Sequence, residues 1–209
     1  MGAKTWMLVY AESDARAALR TQPQLDREAT HRLASKLFTG EKLEPLGDGD
    51  LYYIAPDDDE LSVGCFAGVS VIAAKEFAIN HPSKLGRSFV AAGGRGHIYL
   101  HAMHSVVDWF AYAHWSSGNL LRSLSLAPDD GILEDLGQRL PFEEPFWSGQ
   151  FPAVDDEEEE DAYPFPFHPL ELAEAALREL FGFQIEGDVD CTLLEPESIP
   201  LVRYKRSRA

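Results

Sequence analysis

Cysteine is scarce: Cys65 and Cys191 are the only two in 209 residues, and no C-x-x-C pair occurs. They can build neither a disulfide framework nor a four-sulfur zinc site, and a reducing cytoplasm is the expected setting. Positive charge is also in short supply. Lys and Arg number 18 against 35 Asp and Glu, for a formal net charge of −17. Affinity for DNA or RNA rests on Lys and Arg displacing counterions, so a bare phosphate-binding surface is excluded, and adsorption to an anionic membrane with it. Long apolar runs are missing too. The first, Trp6 to Tyr10, is soon followed by Glu12 and Asp14, too short and too early broken for a signal peptide or a membrane span. Several catalytic signatures are absent. No G-x-S-x-G elbow presents a nucleophilic serine, and the glycine-rich stretch Ala91 to His97 lacks a G-K-[ST] ending and precedes a strand instead of opening a helix.

What is present is enough apolar material, 45% of the chain, to fill one core. Trp6 to Tyr10 reads as a buried first strand. Ser13 and Asp14 cap a short helix through Arg20, and Pro23 opens a second with Leu25, Ala29, Leu33 and Leu37 at four-residue spacing, ended by Gly40. Leu43 to Ile54 holds Gly47-Asp48-Gly49-Asp50 between two apolar runs, a hairpin signal. Leu61 to Phe66 and Val69 to Ala74 are β-prone, with Gly64 marking a bulge in the first. One or two helical turns fit between Pro82 and Ala92. His97 to His104, Val106 to Trp115 and Leu120 to Leu126 predict an antiparallel meander with a turn at Ser117-Gly118. A short helix is expected at Ile132 to Gln138, and Pro169 opens a longer one closed by Gly182. The expectation is a single α+β domain over residues 1–209: a mostly antiparallel sheet of about six to eight strands, with helices packed on one face.

The densest group of titratable side chains is His97, His101, His104, Asp108, Tyr112 and His114. On a helix the first three histidines would share a face as zinc ligands. On the predicted strand, His97, Tyr99, His101 and Met103 share one face and His104 points the other way, so no metal, and no other cofactor, is expected. Counting back from Ser117-Gly118 places Tyr112 opposite Ser123 and Phe110 opposite Ser125, which brings two serines near Asp108 and His114. Asp108 and His114 nevertheless lie about 20 Å apart along one strand, too far for a nucleophilic triad. The face is a candidate polar site without assigned catalytic residues. As acid, base or ligand groups, His101, His104, Asp108 and His114 define one reading, a small-molecule binder or enzyme.

Prolines at 141, 145 and 152 punctuate an aromatic segment, seven acidic residues follow at 155–161, and Tyr163-Pro-Phe-Pro-Phe-His-Pro169 comes next. The acidic run is expected to be a solvated loop, since like charges repel and extend. The aromatics are too apolar to stay in water. Phe146, Trp147, Phe151, Phe165 and Phe167 are expected to pack back onto the domain, any exposed part forming a partner-binding patch. The end of the chain, 203–209, is a basic tail with Arg203, Lys205, Arg206 and Arg208, expected to pair with the acidic run within the molecule or between copies in a homo-oligomer. The leading reading is a non-enzymatic binding or regulatory module that recognises a basic protein partner.

Six segments carry a family resemblance: Met1-Gly-Ala-Lys-Thr-Trp6, Val63 to Lys75, Tyr99-Leu-His-Ala-Met-His-Ser-Val-Val-Asp-Trp-Phe110, Arg122-Ser-Leu-Ser-Leu126, Gly131-Ile-Leu-Glu-Asp135 and Tyr163 to Leu172. Together they resemble an uncharacterised actinobacterial protein family, a domain of unknown function, up to about Gly182. The resemblance implies no activity, ligand or catalytic residue. The Asp108 to Leu126 strand-turn-strand also resembles small actinobacterial domains of the toxin-immunity or interaction kind, a likeness of fold alone.

Overall fold

The computed structural model describes residues 2–153, 164–188 and 190–208. Among them, nine strands form one antiparallel sheet: β1 (Lys4–Ala11), β2 (Glu41–Asp50), β3 (Glu60–Phe66), β4 (Val69–Ala73), β5 (His97–His104), β6 (Trp109–Ser116), β7 (Asn119–Ala127), β8 (Gly131–Gly137) and β9 (Pro200–Arg208). Their spatial order is β2-β9-β3-β4-β1-β5-β6-β7-β8, so β1 lies in the middle and β2 and β8 form the edges.

The central strand explains the layers. Along β1, Met7, Val9 and Ala11 point into one apolar cluster and Trp6, Leu8 and Tyr10 into another. Each large apolar side chain so buried contributes about 1.5–3 kcal/mol. A strand apolar on both sides needs cover on both. The first cluster is closed by α1 (Ala15–Arg20), α4 (Glu144–Trp147) and α5 (Pro169–Phe181), and the second by α2 (Arg27–Leu37), α3 (Arg87–Ala92), Phe77 and Leu85. Helices on one face were expected; they cover both, because the apolar run of β1 does not alternate with polar residues. Asp14 caps α1 by accepting from the Ala17 amide at 3.0 Å, and Asp26 caps α2 by accepting from Ala29 at 2.8 Å, so α2 starts beyond Pro23. Pro169 opens α5 and Gly182, at φ 83°, closes it in the left-handed conformation. Among the described residues, no helix is long and apolar enough to cross a membrane.

Five local expectations are corrected. Residues 43–54 form no hairpin: Glu41–Asp50 is one edge strand on β9, and its glycines accommodate a register shift between Pro45 and Gly47. Gly64 marks no bulge, since β3 and β4 pair without interruption; a Cβ there would lie 2.6 Å from the Leu201 side chain and 2.9 Å from the Phe66 ring. Residues 132–138 are not helical: 132–137 belong to β8, where pairing with β7 outweighs the local pattern. Trp115 does face Leu120, but a bulge between His114 and Trp115 moves the rest by one, so Tyr112 faces Leu124 and Phe110 faces Leu126. A one-residue slip reverses faces, and Ser123 and Ser125 leave the Tyr112 side. Finally, the basic segment is no tail. It is β9, set between β2 and β3.

Candidate functional site

The six expected polar-site residues fall into separate surroundings. His97, His101, Tyr112 and His114 share one face of the sheet, and His104 turns to the other, its ring tilted at 45° to Trp6 with centroids 5.9 Å apart. Burial and the nearby Lys4 and Lys75 lower the pKa of His104, while its Nδ1 accepts from the Val106 amide at 3.2 Å. Asp108 sits in the β5–β6 turn at φ 46°, with an oxygen 3.6 Å from His168 Nε2.

His101 is a core residue. Its Nε2 lies 3.0 Å from the Ala173 carbonyl, which can only accept, so Nε2 carries the proton and Nδ1 accepts from the Thr5 hydroxyl at 2.7 Å. Complete burial lowers its pKa to about 4, and the imidazole is neutral and satisfied. It ties β1 and β5 to α5.

Tyr112 belongs to a buried charge network that sequence reading missed. Arg122 and Glu143 have no exposed surface. The guanidinium donates through Nε and Nη2 to the two Glu143 oxygens at 2.9 and 2.6 Å, and through Nη1 to Asp135 and to the Leu136 carbonyl at 3.0 Å. Tyr112 and the Leu140 amide donate to the same Glu143 carboxylate. Burial and the Glu143 charge raise the Tyr112 pKa, so the phenol stays protonated as a donor. The signal was available: Arg122 is the one charge in the run Leu120-Leu-Arg-Ser-Leu-Ser-Leu126. Such a network fixes the 138–147 connection to the sheet, with Arg122 and Glu143 closed to solvent and Asp135 its one partly exposed member.

Only His97 and His114 of the six meet each other. His97 Nδ1 is 3.0 Å from His114 Nε2, and Tyr99 stacks on His114 at 4.5 Å. Burial, with His97 adjacent, lowers the His114 pKa to about 4, and its Nδ1 is buried without a hydrogen-bond partner. Among the described residues, no group of three or more His, Cys, Asp or Glu is arranged to hold a metal ion. Cys65 is buried, Cys191 is exposed, and both are free thiols.

The aromatic segment packs inward. Phe146, Phe165 and Phe167 are buried and Trp147 is half-buried, leaving Phe151 as the one exposed ring of the five expected partner residues. The expected packing back onto the domain is what the rings show: they close the α4–α5 side of the core, Trp147 and Phe146 edge-on to Phe167 at 4.9 and 5.7 Å. The acidic run 155–161 lies outside the described residues. The basic residues of β9 have other partners: Arg203 pairs with Glu60, Lys205 with Asp59, and Arg206 with Glu41 and Glu76.

The sheet instead presents a cleft of about 720 Å³ where the ends of β2 and β9, the start of β1 and the 51–57 connection meet. Five carboxylates line it, Asp48, Asp50, Asp57, Glu60 and Glu186, against two basic residues, Lys4 and Arg203. Arg203 donates to Glu60 at 2.8 Å, and Glu186 accepts from the Ala3 amide at 3.1 Å. Tyr52 and Tyr53 also line the cleft, 37% and 69% exposed, with ring centroids 5.2 Å apart at 82°. Beyond the tyrosine doublet, no local signal marks this site, because the segments that form it come together only through the β2–β9 and β3–β9 pairings.

Residues 5–204 match a family of unknown function, DUF6928. The chain belongs to that family. The match bears out the resemblance to a domain of unknown function, and it extends beyond Gly182 through most of β9. No curated protein and no solved structure matches the chain.

Proposed function

We propose that this DUF6928 chain is a non-enzymatic recognition module that holds a basic segment of a partner protein in the cleft beside β2 and β9. The observation that carries this reading is the exposure of Tyr52 and Tyr53 on the lip of a cleft whose carboxylates outnumber its basic groups. Exposed aromatic surface next to unbalanced charge is characteristic of binding sites: the rings supply contact area at low entropic cost, and the carboxylates supply orientation. The net charge of −17 steers a cationic partner toward the molecule. On the His97–His114 side, the His101 imidazole is satisfied within the core and His97 and His114 meet each other, so the reading places recognition at the cleft.

Isothermal titration of the full chain with a lysine-rich and a glutamate-rich peptide of equal length tests the proposal. Binding of the basic peptide alone, weakening at high salt and weakened further in the double variant Asp50→Asn/Asp57→Asn, is the expected result. Equal binding of both peptides, or of neither, overturns it.

A further inference from the structure

We infer that Tyr52 and Tyr53 form a corner that seats the ammonium group of a lysine side chain from the partner. The inference rests on the function proposed above and names the group that the cleft recognises.

The first support is the frame. Residues 51–54 run buried, exposed, exposed, buried: Leu51 and Ile54 have no exposed surface, and the two tyrosines between them stand in solvent. The Leu51 amide points to the Pro196 and Ile199 carbonyls at 3.2 and 3.0 Å, and the Ile54 carbonyl accepts from the Trp6 amide at 2.8 Å. Asp50 accepts from the Tyr52 amide at 3.0 Å. The rings are thus displayed from a backbone pinned at both ends. A loose segment would lose binding energy in ordering itself; this one has already been ordered by folding.

The second support is shape and charge. Two ring planes at 82° with centroids 5.2 Å apart enclose a corner, and each aromatic face attracts a cation. A compact ammonium touches both faces. A planar guanidinium stacks on one ring, as Arg139 does over Trp147 at 4.2 Å and Arg206 over Phe38 at 4.8 Å in this same fold. The chain also contains the ammonium version, with Lys75 Nζ 4.4 Å from the Trp6 centroid. Asp50 and Asp57 in the cleft lining supply the opposite charge.

The test has two arms. In the first, the full chain is titrated with a lysine peptide and with an arginine peptide of the same length and charge. The expected result is tighter binding of the lysine peptide and about tenfold weaker binding in Tyr53→Ala, the scale of one lost cation–π contact, with Tyr53→Phe at the parental level. Both side chains are exposed, so these variants keep the fold, and their unfolding midpoints check it. In the second arm, N-acetyl-lysine methylamide is added while the ring resonances of Tyr52 and Tyr53 are followed by NMR. Concentration-dependent shifts of both rings support the corner. Equal affinity for the two peptides with no effect of Tyr52→Ala or Tyr53→Ala overturns the inference and leaves basic-partner recognition standing. Ring shifts with the lysine amide but no binding of either peptide keep the corner and overturn the protein-partner reading. Neither shifts nor peptide binding overturns both.

Discussion

Glu143→Gln is the sharpest test of what holds the 138–147 connection in place. The parent carboxylate accepts two hydrogen bonds from Arg122 at 2.9 and 2.6 Å, one from the Leu140 amide at 2.6 Å and one from Tyr112, and both charged partners are fully buried. The amide removes the compensating charge and turns an NH₂ group against donors that have no other acceptor. Arg122 then retains only Asp135, whose side chain is about one-third exposed, and the Leu136 and Ser123 carbonyls. Breaking one side of a buried ion pair costs about 3–5 kcal/mol, whereas an exposed pair is worth about 0–1. For a chain of this length the loss corresponds to a fall in Tm on the order of 10 °C. Urea denaturation followed by tryptophan fluorescence measures it. The companion Arg122→Met/Glu143→Leu should recover part of the loss, because it removes the unpaired buried charge but leaves the Tyr112 hydroxyl and the Leu140 amide without their acceptor. A cost below about 1 kcal/mol for Glu143→Gln, or a double variant less stable than either single one, would refute the view that the network is a closed, desolvated unit.

His101 makes a pH prediction. Its folded pKa lies near 4 against about 6.5 in the unfolded chain, so between those values the unfolded state binds the extra proton. Its contribution is fully present above about pH 6.5 and is lost as pH falls toward 4, by about 3 kcal/mol in all; unfolding free energies of the parent and His101→Gln across that window should converge at low pH, and parallel curves would refute the assignment. Gly64→Ala should cost several times as much as Gly118→Ala, because a Cβ at 64 meets Leu201 at 2.6 Å, whereas at 118 it meets nothing and pays only for φ 77°, about 1 kcal/mol; equal unfolding midpoints would refute the close approach. Deleting residues 200–208 removes the strand that joins β2 to β3, so the truncated chain should show no cooperative unfolding transition, and a transition like the parent's would show that β9 is dispensable.

Local pattern and long-range closure divide what could be read in advance. Wherever an element is decided by neighbours in sequence, the reading was sound: the β1 run, the Asp14 cap, the Ser117-Gly118 turn with both residues at positive φ, and the Pro169–Gly182 helix are all local chemistry. The failures have one physical source. Gly64, Gly47 and β8 are shaped by strands that arrive from elsewhere, and a single extra residue near Leu121 reversed the facing of Ser123 and Ser125. The same source hid the candidate site. The basic residues looked like a solvated tail because nothing nearby in sequence balances Arg203, Lys205 and Arg206; their partners Glu60, Asp59, Glu41 and Glu76 become neighbours only when β9 inserts between β2 and β3. That insertion neutralises β9, Asp48 pairs with Arg27, and Asp50 and Asp57 are left in excess around Tyr52 and Tyr53. Acidity that first served only to exclude nucleic acid and membrane is thereby sorted by the fold: part of it is matched along β9, and part stays unmatched in the lining of the cleft.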